Sequence, residues 1–158
     1  MLFVSKAIKP NLSLISSRSA DLNLQFNTSS LIMVAEKITW KSIEGKEHPT
    51  LSPGFVSNGH VFTSGIIGSN YATGETPEKV EDQVHLAIKN LEAVLKAGGS
   101  SLDKVFKVTM FISHAEYSKV VNEIYGQYFP QKPARSCVVV AFMDAAIKYE
   151  LEAIATLE

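Results

Sequence analysis

Apolar residues at Val80, Val84, Ala87, Ile88, Leu91, Val94 and Leu95 recur at the spacing that lines one face of an α-helix. Thr76-Pro77-Glu78 reads as its start, with a capping hydroxyl, a proline at the first helical position and an acid in the first turn, and Gly98-Gly99 as its end. Before this helix the pattern alternates, predicting strands at Lys37–Ile43, Ser52–Ser57 and His60–Ile67. Asn58-Gly59 joins the last two as a hairpin, because both central residues of a type I′ turn need positive φ. After the helix, Val105–Ser113 reads as a strand with Phe106, Val108, Met110 and Ile112 on one face and Lys107, Thr109 and Phe111 on the other. Ser113-His114-Ala115-Glu116 has the spacing of a capping box. Tyr117, Val120, Val121, Ile124, Tyr125 and Tyr128 then mark a second helix running to about Phe129, stopped by Pro130 and Pro133. Its aromatic stripe reads as core rather than as a cofactor platform. Two further strands, one opening at Pro133-Ala134-Arg135 and one spanning Lys148 to Ala155, complete the pattern.

The predicted order is β-β-β-α-β-α-β-β. Each β-α-β step implies a right-handed crossover to a parallel strand, and two crossovers of one hand place both helices on one face of a six-stranded mixed sheet. Val138, Val139 and Val140 are apolar on both sides of their strand, which predicts that the other face is buried too. A second copy of the chain is the simplest cover, so an obligate oligomer is expected.

Composition changes the picture at the N-terminus. Residues 1–33 hold Lys6, Lys9 and Arg18 against the single acid Asp21, with many serines. That acid-poor, Ser-rich, basic make-up predicts a mitochondrial targeting segment, followed by one domain over residues 34–158. The matrix is then the expected compartment, and Met33 is a candidate internal start for a cytosolic form. The glycosylation sequons at Asn11 and Asn27 fall inside the segment expected to be removed. No apolar run approaches a membrane span. The net charge of −1, with no basic block after residue 40, gives no footprint for nucleic acid. Cys137 is the only cysteine, which excludes an intrachain disulfide and a cysteine-cluster zinc site; in its valine-rich strand it reads as a buried thiol. His48, His60, His85 and His114 lack metal-ligand spacing, and no phosphate loop, dinucleotide fingerprint or nucleophile elbow is present. No cofactor or metal is therefore expected.

Candidate chemistry lies in the last two strands. Glu150 and Glu152 share one face, and Arg135 opens the strand before. A guanidinium beside two carboxylates can bind a small carboxylate and steer a water; the alternative is a structural ion pair at a sheet edge. Ser64, in Thr-Ser-Gly, is a hydroxyl near the end of a predicted strand, where it can meet a ligand or simply sit beside a turn glycine.

From about Ser52 to the end, the chain resembles the RidA/YjgF family of reactive-imine deaminases. The resemblance rests on Thr-Ser-Gly at 63–65, Val-Asn-Glu-Ile-Tyr at 121–125, Pro-Ala-Arg-Ser-Cys-Val at 133–138 and Glu-Leu-Glu-Ala-Ile-Ala at 150–155. It implies a chorismate-mutase-like α+β fold, a homotrimer with sites in the clefts between subunits, and cofactor-free hydrolysis of 2-imino acids, such as 2-iminobutyrate and 2-iminopropanoate, to 2-keto acids and ammonia. On the matching positions, Arg135 holds the substrate carboxylate with help from the backbone N–H of Cys137. Glu150 activates water, and Ser64 and Asn122 support the site. The chain departs from the family at Leu51, Ile66 and the Phe142–Ala146 loop, which predicts a more apolar pocket. Two other readings use the same residues: a non-catalytic trimer that binds a small carboxylate and regulates mitochondrial maintenance or branched-chain amino-acid synthesis, and a ribonuclease or translation inhibitor. Removing residues 1–33 would take the net charge from −1 to −3, which argues against RNA.

Overall fold

A computed structural model describes residues 35–157; the expected targeting segment and the start at Met33 lie outside them. The described elements are β1 (Glu36–Ile38), β2 (Gly54–Ser57), β3 (His60–Thr63), β4 (Ile66–Ile67), α1 (Val80–Ala97), β5 (Val105–Ile112), α2 (Ser118–Tyr128), β6 (Ala134–Val139) and β7 (Tyr149–Thr156). They form one mixed sheet in the order β1-β2-β3-β7-β5-β6, with β4 also paired to β7. Only the β5–β6 pair, joined through α2, is parallel.

Both helices cover one face, as the crossover argument requires. Val61, Val108, Met110, Ile112, Leu151, Ala153 and Ala155 bury that face against Val84, Ile88, Leu91 and Leu95 of α1 and Val121 and Ile124 of α2. At Asn58 and Gly59 φ is 50° and 74°, the left-handed pair that the hairpin needs. After α1, Gly99 turns left-handed at φ 80° while Ser100 N donates to Leu95 O at 2.8 Å, closing the last helical turn.

Several boundaries differ from the sequence pattern for local reasons. Thr39 caps a short 3-10 turn over Trp40–Ile43, its Oγ1 accepting the Ser42 N–H at 3.3 Å, so the first strand ends at Ile38. The Thr76 hydroxyl bonds Ser69 Oγ at 2.6 Å instead of capping, and α1 begins at Val80. The capping box is not formed: the chain makes a 3-10 turn over Ala115–Tyr117 first, and Ser113 Oγ contacts His114 Nδ1 at 2.9 Å. The strand expected over His60–Ile67 breaks at Ser64-Gly65, so seven strands replace six.

The other face of the sheet is bare in the protomer. The register places Phe55, Phe62, Ile154 and Lys107 in one row across it, with Thr109, Phe111, Ser136, Val138, Glu150 and Glu152 beside them. Phe55, Phe62 and Val138 are exposed, and every residue of β6 is exposed along the sheet edge. Cys137 is among them, so the expectation of a buried thiol fails for the protomer: β6 is an edge strand, paired on one side only.

Candidate active site

Pro133 is buried just before β6, and the parallel register sets Arg135 beside Val108 and Cys137 beside Met110. Val108 and Met110 face the helices, so Arg135 and Cys137 lie on that side as well. The Arg135 guanidinium lies over the Tyr125 ring of α2, 5.0 Å from its centroid, with Nη1 3.7 Å from Met110 Sδ. Tyr125 is itself stacked on Phe129, with centroids 4.4 Å apart. Burial pushes the Tyr125 phenol up to about 12, against the opposing pull of the Arg135 charge, so it is neutral over the whole working range. Among the described residues Arg135 has no carboxylate partner. Asn122, Tyr125, Gly126, Phe129 and Lys132 line a groove of ≈ 340 Å³ with Arg135. An unpaired, aromatic-backed guanidinium in a groove is suited to a planar carboxylate.

Glu150 is built differently. Its neighbours Tyr149 and Leu151 point into the core, so Glu150 and Glu152 project from the bare face. β4 pairs Ile67 with Glu150, and the bend at Gly65 lets the carboxylate lie against the backbone: a Cβ at Gly65 would stand 1.8 Å from Glu150 Oε1. Partial burial, and secondarily the Glu152 charge, raise the Glu150 carboxyl above the ordinary glutamate range. Tyr71 is close enough to sense it. Its hydroxyl accepts the Ile67 N–H at 3.2 Å, and its pKa is pushed up to about 12, mainly by burial, with the Glu150 charge adding to the rise. A carboxylate with a raised pKa and a solvent-facing side is a fitted general base.

Ser64 secures this bend. Its Oγ donates to Ser52 O at 2.6 Å and its N–H to Pro53 O at 2.9 Å, so the hydroxyl proton is already used.

The site residues therefore form two groups. Arg135, Cys137 and Asn122 share the helix side of the β6 edge, whereas Glu150 and the Ser64-Gly65 bend belong to the bare face. The expected neighbour relation of Arg135 and Glu150 is not met within a protomer, because β5 separates their strands and they project from opposite faces. Ile66 corrects a second expectation: it is fully buried on the core side and cannot make the Glu150 face more apolar. Leu51 is exposed while its carbonyl accepts the Trp40 Nε1–H at 2.7 Å, and Met143 in the 142–146 loop is fully exposed. Sequence reasoning missed Gly65, Tyr71 and Tyr125. Tyr125 followed the helical stripe and looked like core, and Gly65 sat in a quoted motif without an assigned task.

No group of three or more His, Cys, Asp or Glu side chains is placed to hold a metal among the described residues, and no helix there is long and apolar enough to cross a membrane. Comparison with known proteins identifies the scaffold. The family model described as Endoribonuclease L-PSP matches residues 46–157. The chain is 43% identical over 103 residues to Reactive Intermediate Deaminase A, chloroplastic, of Arabidopsis thaliana, covering 64% of this chain and 55% of that relative. It is 36% identical over 99 residues to the 2-iminobutanoate/2-iminopropanoate deaminase of Escherichia coli strain K12, covering 60% and 77%. The crystal structure of E. coli TdcF with bound serine superposes with a TM-score of 0.66 at 34% identity, over 80% of this chain and 98% of that one. With this match over most of its length, on a mixed sheet backed by two helices, the chain belongs to the RidA/YjgF family, the Endoribonuclease L-PSP family of that model.

Proposed function

We propose that the protein hydrolyses reactive 2-imino acids, such as 2-iminobutyrate and 2-iminopropanoate, to 2-keto acids and ammonia, protecting metabolic enzymes from imine damage. The observation that carries this reading is the Arg135 guanidinium, without a carboxylate partner among the described residues and held over Tyr125 at the sheet edge. Arg135 binds the substrate carboxylate through two parallel N–H donors, and the Cys137 N–H adds a third. Glu150 removes a proton from water as its oxygen attacks the C=N carbon. Glu150 returns that proton to the nitrogen, and as the tetrahedral adduct collapses to the ketone its hydroxyl proton passes to the departing amine, which leaves as ammonia. An imine is already electrophilic, so positioning and one base supply what the reaction needs, without a cofactor.

Because Arg135 and Glu150 project from opposite faces, a working site takes Arg135, Cys137 and Asn122 from one protomer and Glu150, with the Ser64-Gly65 bend, from the next. Packing the exposed β6 edge of each copy onto the bare face of its neighbour, repeated three times, gives a closed trimer with three sites. The net charge of −1 supports a metabolite over RNA as the ligand. The composition of residues 1–33 supports delivery to the mitochondrial matrix, which a fluorescent fusion of those residues tests by its location.

The deciding assay generates 2-iminobutyrate with an amino-acid oxidase and traps surviving imine with semicarbazide. The wild-type chain lowers the trapped product. Arg135→Ala reduces that rate by about two orders of magnitude, as loss of a bidentate clamp should. Glu150→Gln reduces it by about 10²- to 10⁴-fold while retaining carboxylate binding. A wild-type chain that binds carboxylates but spares every imine is instead a regulatory binding protein.

A further inference from the structure

The groove beside Arg135 contains a second cation that the hydrolytic scheme leaves unused. Lys132 lines it, on the loop between α2 and β6, in the left-handed conformation at φ 54°. No acidic residue lines the groove, and Lys132, like Arg135, has no ion-pair partner among the described residues. Two cationic residues therefore line one cavity of the protomer with no anion beside them among the described residues.

The wall of the same groove has been kept bare. Gly126 lies inside α2, four residues after Asn122, where glycine weakens a helix. Packing does not demand it: a Cβ at this position would meet no atom within 4 Å. Its effect is to widen the open groove, whose ≈ 340 Å³ lies at the lower end of the roughly 300–1,000 Å³ range of small-molecule clefts.

We propose that Lys132 is a specificity-determining residue and that the groove selects dicarboxylic 2-imino acids, with the α-carboxylate on Arg135 and the side-chain carboxylate on Lys132. This rests on the hydrolytic reading of the site. The two cations suit the two tasks: the guanidinium fork fixes the planar group next to the reacting carbon, whereas an ammonium on a flexible stem follows a carboxylate at variable reach. Gly126 leaves room for the extra carbons.

The test is calorimetric titration of the full chain with two stable keto acids, 2-oxoglutarate and 2-oxobutyrate. The dicarboxylate is expected to bind about two- to fivefold tighter, the scale of one favourable charge contact at a partly exposed site. Lys132→Gln brings the two affinities together and leaves 2-oxobutyrate unchanged. Lys132→Gly, which accepts positive φ without strain, does the same and guards against a folding effect. Arg135→Ala weakens both ligands. Equal affinities in the wild type, or a preference that survives both Lys132 substitutions, overturns the proposal. Binding is read here without turnover, so the two readings can fail separately. A Lys132-dependent preference in a chain that hydrolyses no imine sinks the deaminase, and imine hydrolysis with no such preference sinks this inference.

Discussion

Gly65 shows how one missing side chain places a reactive one. The Glu150 carboxylate occupies the space that a methyl group at Gly65 would take. Because the clash is with the tip of a side chain, Gly65→Ala is expected to keep the fold, displace Glu150 and lower imine hydrolysis by about 10²-fold or more, with little change in melting temperature. The raised pKa of Glu150 sets the pH dependence. Its base form appears only as pH climbs past the ordinary glutamate range, so kcat/KM should rise there and then level off. Glu152→Gln removes the smaller of the two causes and should move that limb to lower pH, with the contribution of burial remaining. The stability sign is opposite. A carboxyl whose folded pKa is raised stabilises the fold while protonated and loses that contribution as pH rises through the folded value. Glu150→Gln should therefore melt higher than wild type at neutral pH, with the gap closing in acid, as thermal scans across pH would show. Tyr149 offers a separate check: its fully buried hydroxyl has no hydrogen-bond partner among the described residues, so Tyr149→Phe should stabilise by about 1 kcal/mol in urea titrations. Arg135 and Glu150 could be picked out as reactive types in the sequence. Their contacts with Tyr125 and Gly65 could not, since each joins residues brought together only by the sheet.

At the scale of elements, Gln83 connects the helix layer to the site. This fully buried side chain of α1 donates to Pro77 O and Ala146 O and accepts the Lys148 N–H, each at 2.8 Å. It thereby fixes the loop that delivers Glu150 into β7. Gln83→Leu takes the partner from three backbone groups at the edge of the core and should cost about 1–3 kcal/mol in chemical denaturation, with a loss of activity that follows the loosened loop. Gly68 marks the other end of the same constraint: a Cβ there would lie 2.1 Å from the Gln83 carbonyl oxygen, so Gly68→Ala must push α1 off the sheet. The two helices and the Asn58-Gly59 hairpin were plain from periodicity and turn chemistry, because those signals are local. The bend at Ser64-Gly65 was not, since it comes from hydrogen bonds to Ser52 and Pro53, and from pairing with β7, that lie outside any sequence window. The same limit explains the false adjacency of β6 and β7: chain order suggested neighbours, and the crossover inserted β5 between them.

For the molecule as a whole, the exposed β6 edge and the aromatic row on the bare face make association part of the proposed chemistry. Val138→Arg, on that face, should give a folded protomer by circular dichroism that light scattering finds monomeric and the imine assay finds inactive. An active monomer would refute the shared site. The placement of β7 has another consequence. The strand nearest the C-terminus is the hub of the sheet, paired on one side with β3 and β4 and on the other with β5. During synthesis the β1-β2-β3 ladder and the β5–β6 pair both wait for it, and the core cannot close until Thr156 has left the ribosome. Nascent chains of this protein should therefore remain sensitive to protease until β7 has emerged. Trimming the tail through Tyr149–Thr156 would remove not a border but the seam that joins the two halves.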